Sequence, residues 1–265
     1  VTGVQTCALP ICLIPVNRCI IGEMFTREQA DCHVRALREH LLCADGMHLM
    51  DAPTPYRGGI PDLFNHADTA AFFGREAGTH NTHAHLRFAE SLAHMGRPDE
   101  LLQALLQANP VKLQDSVPTA LPRQSNAYFI SSDAAFNDRY EAMRELDKLR
   151  DGRIGYRAGW RVCSNGPGIF VHILISRMLG IRQYYDSLVI DPVLPESLGR
   201  VRLKLCFEGK TVLFEFIRGG TPGIMVNASP LAVKGFEPNP YRQGGMMVDF
   251  SAFIAGLDRP DNTVT

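Results

Sequence analysis

The sequence predicts an α + β protein in which a helical region precedes an antiparallel β-region. Two observations support this fold class. Up to about residue 183 the apolar residues recur at three- and four-residue intervals, which is the spacing of an amphipathic helix. Beyond that point they alternate with polar residues, as in a half-buried strand. The composition is that of an ordinary folded protein, with 45% hydrophobic and 21% charged residues.

The composition also argues against several classes of function. The formal net charge is −1, with basic and acidic residues mixed along the chain, so nothing favours nucleic acid or an anionic membrane as a partner. No apolar run approaches the ~18 residues that indicate a membrane-spanning helix. The seven cysteines are scattered and contain no C-x-x-C pair. This predicts reduced thiols in the cytoplasm rather than a disulfide framework or a zinc site.

Residues 1–11, VTGVQTCALPI, resemble a translated sequencing adapter and are expected to be foreign to the fold. The competing interpretation is a secretory signal peptide, but the segment has neither a basic n-region nor a clean apolar core. On the adapter interpretation the true chain starts near Cys12. The sequence would then be a C-terminal fragment of a larger protein.

Amphipathic helices are predicted up to residue 149. The first follows a capping box, TREQ, with Thr26 at the N-cap and Gln29 three residues later. Its buried face is expected at Ala30, Val34, Leu37 and Leu41. A three-residue break at 96–98 joins the next two helices into an αα-hairpin. The predicted ranges are about 27–45, 81–95, 99–108 and 132–149.

A buried helix is predicted to follow the turn Ser164-Asn165-Gly166-Pro167-Gly168. Pro167 suits the first turn of a helix, where its missing N–H costs nothing. Apolar residues then surround the helix up to Gly180, which predicts burial on nearly all sides. A small-residue turn before a helix leaves free N–H groups at the positive end of the helix dipole, a natural anion site. The alternative is an ordinary turn without function.

The pattern beyond residue 186 predicts antiparallel strands. Apolar residues alternate with polar ones from Val201 to Phe207, the segment 208–210 turns the chain, and a partner strand returns through Phe216. Further strands are predicted at 188–194 and 245–253.

Helical pairs followed by an antiparallel β-domain are the order found in carbohydrate enzymes built on an (α/α) barrel. The buried helix from Ile169 fits the inner ring of such a barrel, and the amphipathic helix from Arg27 fits the outer ring. We therefore expect the C-terminal part of an (α/α)6 barrel at residues 12–183. An antiparallel β-sandwich or jelly roll is expected at residues 184–265.

Several segments together resemble the cellobiose phosphorylase family of inverting glycoside phosphorylases, above all its β-1,2-oligoglucan branch. They are LLCADGMHLMDAP, YRGG, GREAGTHNTHAH, LPRQSNAYFISSDAAFNDRY, WRVCSNGPGIF, LGIR and DPVLPESL, between about residues 26 and 218. The resemblance implies reversible phosphorolysis of a β-glucoside with inversion, which releases α-glucose 1-phosphate. It implies no cofactor, with inorganic phosphate and a β-glucan oligosaccharide as substrates. A homodimer of the intact protein is left open.

The resemblance also assigns a phosphate site. His83 matches the histidine that contacts phosphate, and Asn165 with Gly166 matches the phosphate-binding turn. A hydroxyl residue usually stands at the position of Asn165. An Asn amide still donates a hydrogen bond, but with a different reach. His85 and His80 are expected to be packed rather than functional.

The sugar site is assigned more sparsely. Glu76 matches a sugar-contacting acid of the family. Tyr56 and Arg57 are residue types that line sugar pockets, although both are equally ordinary in a loop. The general-acid Asp of the family belongs to a Gly-Gly-Asp-Trp-type turn that this sequence lacks, so it is expected upstream. The chain by itself is therefore predicted to be inactive.

Alternative functions remain open at this stage. An inverting hydrolase on the same barrel would need a carboxylate base where the phosphorylase needs an anion site. A non-catalytic carbohydrate-binding or scaffold protein would need surface aromatics, of which the sequence has few. The chain could also be the phosphorylase-like domain of a cyclic β-1,2-glucan synthase, and only upstream sequence would separate the two. Linkage and chain-length specificity are not encoded in any recognisable motif.

Overall fold

The computed structural model describes residues 11–51, 82–109, 113–116, 118, 133–134, 136–137, 139–154, 156–157, 165–219 and 222–265. The described residues form an α + β fold, as the sequence predicts. The α-helices are α1 (Leu13–Ile21), α2 (Arg27–Leu41), α3 (Thr82–His94), α4 (Pro98–Ala108), α5 (Leu113–Ser116), α6 (Arg139–Arg150), α7 (Asn165–Ile173) and α8 (Phe250–Gly256). A π-helical turn, Leu174–Met178, continues α7.

The strands fall mostly after residue 180. They are β1 (Leu42–Cys43), β2 (Gly46–Met47), β3 (Asp133–Ala134), β4 (Tyr156–Arg157), β5 (Ile181–Tyr184), β6 (Ser187–Ile190), β7 (Val201–Phe207), β8 (Lys210–Phe216), β9 (Ile224–Val226), β10 (Ser229–Leu231), β11 (Val233–Phe236), β12 (Met246–Asp249) and β13 (Asp261–Val264). Among the described residues, every helix is too short or too polar to cross a lipid bilayer.

The chain divides into two compact units. The first comprises residues 1–92 and 103–171, and the second comprises residues 93–102 and 172–265. The second unit is therefore discontinuous in sequence, because it includes the end of α3 and the start of α4.

In the first unit, α2 forms as the sequence predicts. The hydroxyl of Thr26 accepts a hydrogen bond from the Gln29 N–H, and the Gln29 side chain accepts one from the Thr26 N–H, which completes the predicted capping box. The predicted apolar face is buried at Ala30, Val34, Leu37 and Leu41. The helix ends at Leu41 rather than near residue 45. There the chain turns into the β1–β2 hairpin, with Gly46 at φ 124°.

Helix α1 is attached to α3 by buried polar groups. The Asn17 amide donates to the Ala84 carbonyl at 3.3 Å, and the Ser91 hydroxyl donates to the Asn17 carbonyl at 3.4 Å. Leu13 and Ile20 are fully buried on the same helix. The start of α3 is thus held against a helix that lies more than sixty residues away in sequence.

The second unit contains two sheets that share one apolar core. One has the strand order β10-β9-β13-β8-β7 and the other the order β11-β12-β6-β5. Both sheets contribute buried residues, with Val212, Phe214 and Val226 from the first and Leu188 and Val248 from the second. The strand pairs are antiparallel, with one exception, since β13 runs parallel to β8.

The predicted hairpin is confirmed as β7–β8. Its register runs from Val201 opposite Phe216 to Phe207 opposite Lys210. Glu208 and Gly209 form the two-residue turn, both at positive φ, which matches the twist of the strands. The alternation of apolar and polar residues therefore predicted both the strands and their pairing.

Two predicted strands are shorter than expected. The segment 188–194 forms a strand only as far as Ile190, since Asp191 and Pro192 leave the ladder. The segment 245–253 forms β12 and then turns into α8 at Phe250. The reason is a cap, because the Asp249 carboxylate accepts a hydrogen bond from the Ala252 N–H at 2.9 Å.

The prediction that the helix from Ile169 is buried on nearly all sides is wrong. Ile173 and Met178 are buried, but Val171 is 51% exposed and His172 is exposed as well. The described residues cover only one face of α7. Its apolar residues on the other face have no covering element in the described part of the chain.

Hydrogen bonds from residues 239–242 hold the two sequence segments of the second unit together, and the Arg242 Nη2 that donates to the Ala93 carbonyl at 3.4 Å also belongs to an ion-pair cluster around Asp191. Asp191 accepts hydrogen bonds from Arg242 at 2.6 and 2.7 Å and from Arg182 at 3.0 Å. Asn239 donates to the carbonyl of His94 at 3.0 Å, near the end of α3. Segment 239–242 thus joins residues 93–102 to the sheets.

Candidate functional site

The three predicted phosphate-binding residues lie in the first turns of two helices. His83 is the second residue of α3, and Gly166 is the second residue of α7. Asn165 begins α7. Both helix starts belong to the first unit. The predicted sugar-contacting residues Glu76, Arg57 and Tyr56 lie outside the described residues.

Neither of these two helix starts carries an acidic side chain in its first turn. By contrast, α2 has Glu28 and α4 has Asp99 and Glu100 at that position. The first amide N–H groups of a helix have no intrahelical acceptor, and an acidic side chain usually compensates the positive end of the dipole. The starts of α3 and α7, like that of α1, therefore leave the positive end of the helix dipole without an acidic side chain in the first turn.

His83 is half-buried in an electropositive environment. Burial lowers the pKa of its imidazole, and the positive charges of Arg87 and Arg18 lower it further. A lowered pKa favours the neutral imidazole, which can donate one ring N–H to an oxygen. The two guanidinium groups that disfavour a proton on His83 would equally favour an anion beside it.

Arg87 stands one helical turn after His83, so the two side chains share a face of α3. One of its nitrogens, Nη1, donates to the Glu90 carboxylate at 2.5 Å. Its Nε atom is buried and has no hydrogen-bond partner within the described residues. A buried N–H without an acceptor is costly, and a bound anion would satisfy it.

Sequence reasoning missed both arginines near His83. The signal for Arg87 is its four-residue spacing from His83, which places the two on one helix face. The sequence holds no local signal for Arg18, since it lies on α1. Its proximity depends on the packing of α1 against α3.

His85 has the structural role that the sequence predicts. It is fully buried, its Nδ1 accepts a hydrogen bond from the Met47 N–H at 3.0 Å, and its Nε2 lies 2.7 Å from the Ala104 carbonyl. Burial lowers its pKa to about 4, although the Ala104 carbonyl opposes this. Residues two apart on a helix point in nearly opposite directions. Anchoring His85 therefore orients His83 away from the interior.

His48 is a second buried histidine, in the hairpin that His85 anchors. Its Nε2 lies 2.7 Å from an oxygen of Asp45. Burial alone would lower the pKa of His48, but Asp45 and Cys43 beside it raise that pKa well above its usual value. Cys43 and Asp45 are also buried. Cys43, Asp45 and His48 are not among the predicted phosphate-binding residues.

A cavity of about 530 Å³ lies in the second unit. It opens between the sheets and is lined largely by apolar side chains, among them Phe214, Phe216 and Met246. Sugar sites need converging polar groups to fix hydroxyl positions. The apolar lining of this cavity is therefore poorly suited to an oligosaccharide.

Comparison with curated proteins identifies a relative that matches most of the chain. A 1,2-β-oligoglucan phosphorylase of Listeria innocua serovar 6a is 41% identical over 237 residues, which cover 89% of this chain. The resemblance predicted from the sequence is confirmed. The match covers only 22% of the relative, so the chain spans about a fifth of that protein's length. No family model matches the chain.

Proposed function

We propose that the chain is part of an inverting glycoside phosphorylase that cleaves β-1,2-oligoglucans with inorganic phosphate. The similarity to the Listeria relative over 89% of the chain carries this proposal. The environment of His83 supports it, because a neutral imidazole, two nearby guanidinium groups and an uncompensated helix start form a site for an anion.

In the proposed reaction, phosphate attacks the anomeric carbon of a terminal glucose unit. The bond from that carbon to the glycosidic oxygen breaks, and a carbon–oxygen bond to phosphate forms on the opposite face. An acid must give its proton to the departing oxygen. The residues of this chain hold the phosphate in position for attack. Phosphate is already a competent nucleophile, so the reaction needs no general base.

The finer architecture and the location belong to the same proposal. The helices would complete one part of an (α/α)6 barrel at residues 12–183, and the two sheets would form the appended β-sandwich at 184–265. The general-acid Asp would come from another part of the protein, so the isolated chain would be inactive. Free cysteines among the described residues, such as Cys12 and Cys43, support a reducing cytoplasmic location.

The test uses the full-length protein that contains this chain. Release of glucose 1-phosphate from β-1,2-linked oligoglucans would be measured with and without inorganic phosphate. We expect release that depends on phosphate, and a His83→Ala substitution should raise the KM for phosphate by about 10- to 100-fold, as expected for loss of a hydrogen bond to a charged group. His33→Ala, on the exposed face of α2, is the matched control and should leave that KM unchanged.

Two other outcomes would decide against the proposal. Release of free glucose at the same rate without phosphate would indicate a hydrolase on this scaffold. A His83→Ala enzyme with an unchanged KM for phosphate would remove His83 from the phosphate site, whatever the reaction.

A further inference from the structure

The β1–β2 hairpin brings together three potential metal ligands of different chemical types. Cys43 ends β1, Asp45 lies in the turn and His48 follows β2. All three are buried, and their ligand atoms lie within 4.8 Å of one another. A thiol, a carboxylate and an imidazole are the ligand types that zinc sites combine.

We propose that Cys43, Asp45 and His48 bind a zinc ion. The distances permit it with adjustments of up to about 1.2 Å, because the three ligand atoms lie within 4.8 Å of one another. Ligand atoms around a tetrahedral zinc ion lie about 3.3–3.6 Å apart, given bonds of about 2.0–2.3 Å. The Asp45 oxygen and His48 Nε2 are 2.7 Å apart. They would separate by about 0.6 Å as zinc replaces the proton they share.

Charge favours a divalent cation at this place. On binding, zinc would displace the thiol proton of Cys43 and the proton held between His48 and Asp45, so that a thiolate and a carboxylate neutralise its two positive charges and the imidazole becomes a neutral ligand. Buried charges are tolerated when they are paired or bind a metal. Thiolate and imidazole ligands favour zinc over magnesium or calcium, which prefer oxygen ligands. A water molecule would take the fourth position left by three protein ligands.

The hairpin is held in place independently of any metal. The His48 N–H donates to the Leu41 carbonyl at 2.9 Å, and the Met47 N–H donates to His85 at 3.0 Å. Gly46 adopts φ 124°, which closes the short turn between Cys43 and His48. The three ligands are thus positioned within six residues on a fixed backbone, so little ordering would accompany metal binding.

The cysteine spacing did not reveal this site, because only one of its ligands is a cysteine. Zinc motifs are recognised in sequence by pairs such as C-x-x-C. The pattern here is C-x-D-x-x-H, which becomes a cluster only when the hairpin folds. The proposal stands apart from the proposed phosphorolysis, since it involves none of the predicted phosphate ligands.

The first test is cobalt binding to the purified, metal-free, wild-type full-length protein that contains this chain. Cobalt(II) takes the zinc geometry and gives a thiolate-to-metal charge-transfer band when a cysteine is a ligand. We expect one cobalt ion per chain, the charge-transfer band, and displacement of cobalt by an equal amount of zinc. Binding without that band, or no binding at all, would overturn the proposal and leave Cys43, Asp45 and His48 as a hydrogen-bonded cluster.

Substitutions then identify the ligands. Cys43→Ser should abolish the charge-transfer band and weaken cobalt binding by at least about 100-fold, because even loss of an outer-sphere partner costs about 10- to 100-fold. Cys32→Ser, at an exposed position on α2, is the matched control and should bind as wild type. A band that persists in Cys43→Ser would place the metal elsewhere and overturn the assignment.

A thermal measurement on the wild-type chain covers the case in which Cys43→Ser fails to fold. Zinc at about 100 times its dissociation constant should raise the Tm by about 5–10 °C, and a chelator should reverse the rise. An unchanged Tm, despite bound zinc, would mean that the metal does not bind the folded hairpin.

Discussion

At the scale of single residues, three histidines of the first unit have three different environments. His83 is half-buried beside two arginines, His85 is enclosed between backbone groups, and His48 is enclosed beside Asp45. Sequence reasoning predicted a packed role for His85, which its full burial confirms, whereas the phosphate-binding role assigned to His83 by family resemblance stays a prediction. It did not anticipate the environment of His48, because the contact with Asp45 depends on a turn of the backbone.

His85 should make the stability of the chain fall in mild acid. Its pKa is about 4 in the folded protein and near 6.5 when unfolded, so between these values only the unfolded state binds the proton. Folding stability contributed by this group is therefore lost as pH falls from 6.5 towards 4, by about 3 kcal/mol in total. Urea unfolding at pH 7 and at pH 4.5 would measure the loss.

A His85→Asn variant isolates this contribution. It lacks the titrating ring and loses one buried hydrogen bond, so we expect it to be about 2 kcal/mol less stable than wild type at pH 7. The difference should shrink at pH 4.5, while the titrations of other groups cancel between the two proteins. A difference of equal size at both pH values would contradict the prediction. His33→Asn, at an exposed position on α2 where the ring stacks on Phe25, should cost no more than about 1 kcal/mol, the value of that ring contact.

At the scale of elements, Gly180 links the π-helical turn to β5 and cannot be replaced by a larger residue. It adopts φ +71°, and a Cβ atom there would lie 2.1 Å from backbone atoms of Asp191. Gly180→Ala should therefore combine strain with a clash against rigid backbone, at a cost of at least about 3 kcal/mol. Chemical unfolding followed by circular dichroism would measure it.

Gly209 provides the matched control for Gly180. It adopts a similar φ of +78° in the β7–β8 turn, but no atom lies within 4 Å of the position of a Cβ. Gly209→Ala should cost only about 1 kcal/mol, the strain alone. Equal costs for the two substitutions would show that the backbone at Asp191 moves easily to make room for the new Cβ.

Elements defined by local signals were predicted well, and elements defined by distant contacts were not. The capping box at Thr26 and the register of β7–β8 follow from a few neighbouring residues. The parallel pairing of β13 with β8 joins segments about fifty residues apart and carries no local signature. The same holds for Arg18, whose closeness to His83 results from the packing of α1 on α3.

At the scale of the whole molecule, the second unit depends on a segment that is remote in sequence. Residues 93–102 belong to it together with 172–265, and the contact of Asn239 with His94 helps to join them. This arrangement could not be predicted from a change in periodicity near residue 183, which suggests a simple boundary. The predicted domain limits at 183 and 184 therefore stay a prediction.

We expect Asp191 to contribute most to the attachment of residues 93–102 to the rest of the second unit. Its carboxylate is nearly buried and pairs with both Arg182 and Arg242. Burial raises its pKa, but the two guanidinium groups outweigh this and lower it. Asp191→Asn leaves Arg242 without a counter-charge in a largely buried place, while Arg182 keeps its ion pair with Glu237. Loss of such a buried partner typically costs about 3–5 kcal/mol. Asp258→Asn, at an exposed pair with Arg259, should cost less than about 1 kcal/mol.

The pH dependence of the same pair of variants provides a second readout. Because the pKa of Asp191 is lowered on folding, its stabilisation is present above the usual pKa of 3.8 and is lost as the pH falls through the folded value. The difference in urea unfolding midpoint between wild type and Asp191→Asn should therefore have its full size at pH 7. It should become smaller only in strong acid. A gap that is already absent at pH 7 would mean that Asp191 does not hold residues 93–102 to the sheets. The segment would then depend instead on the hydrogen bond from Asn239 to His94.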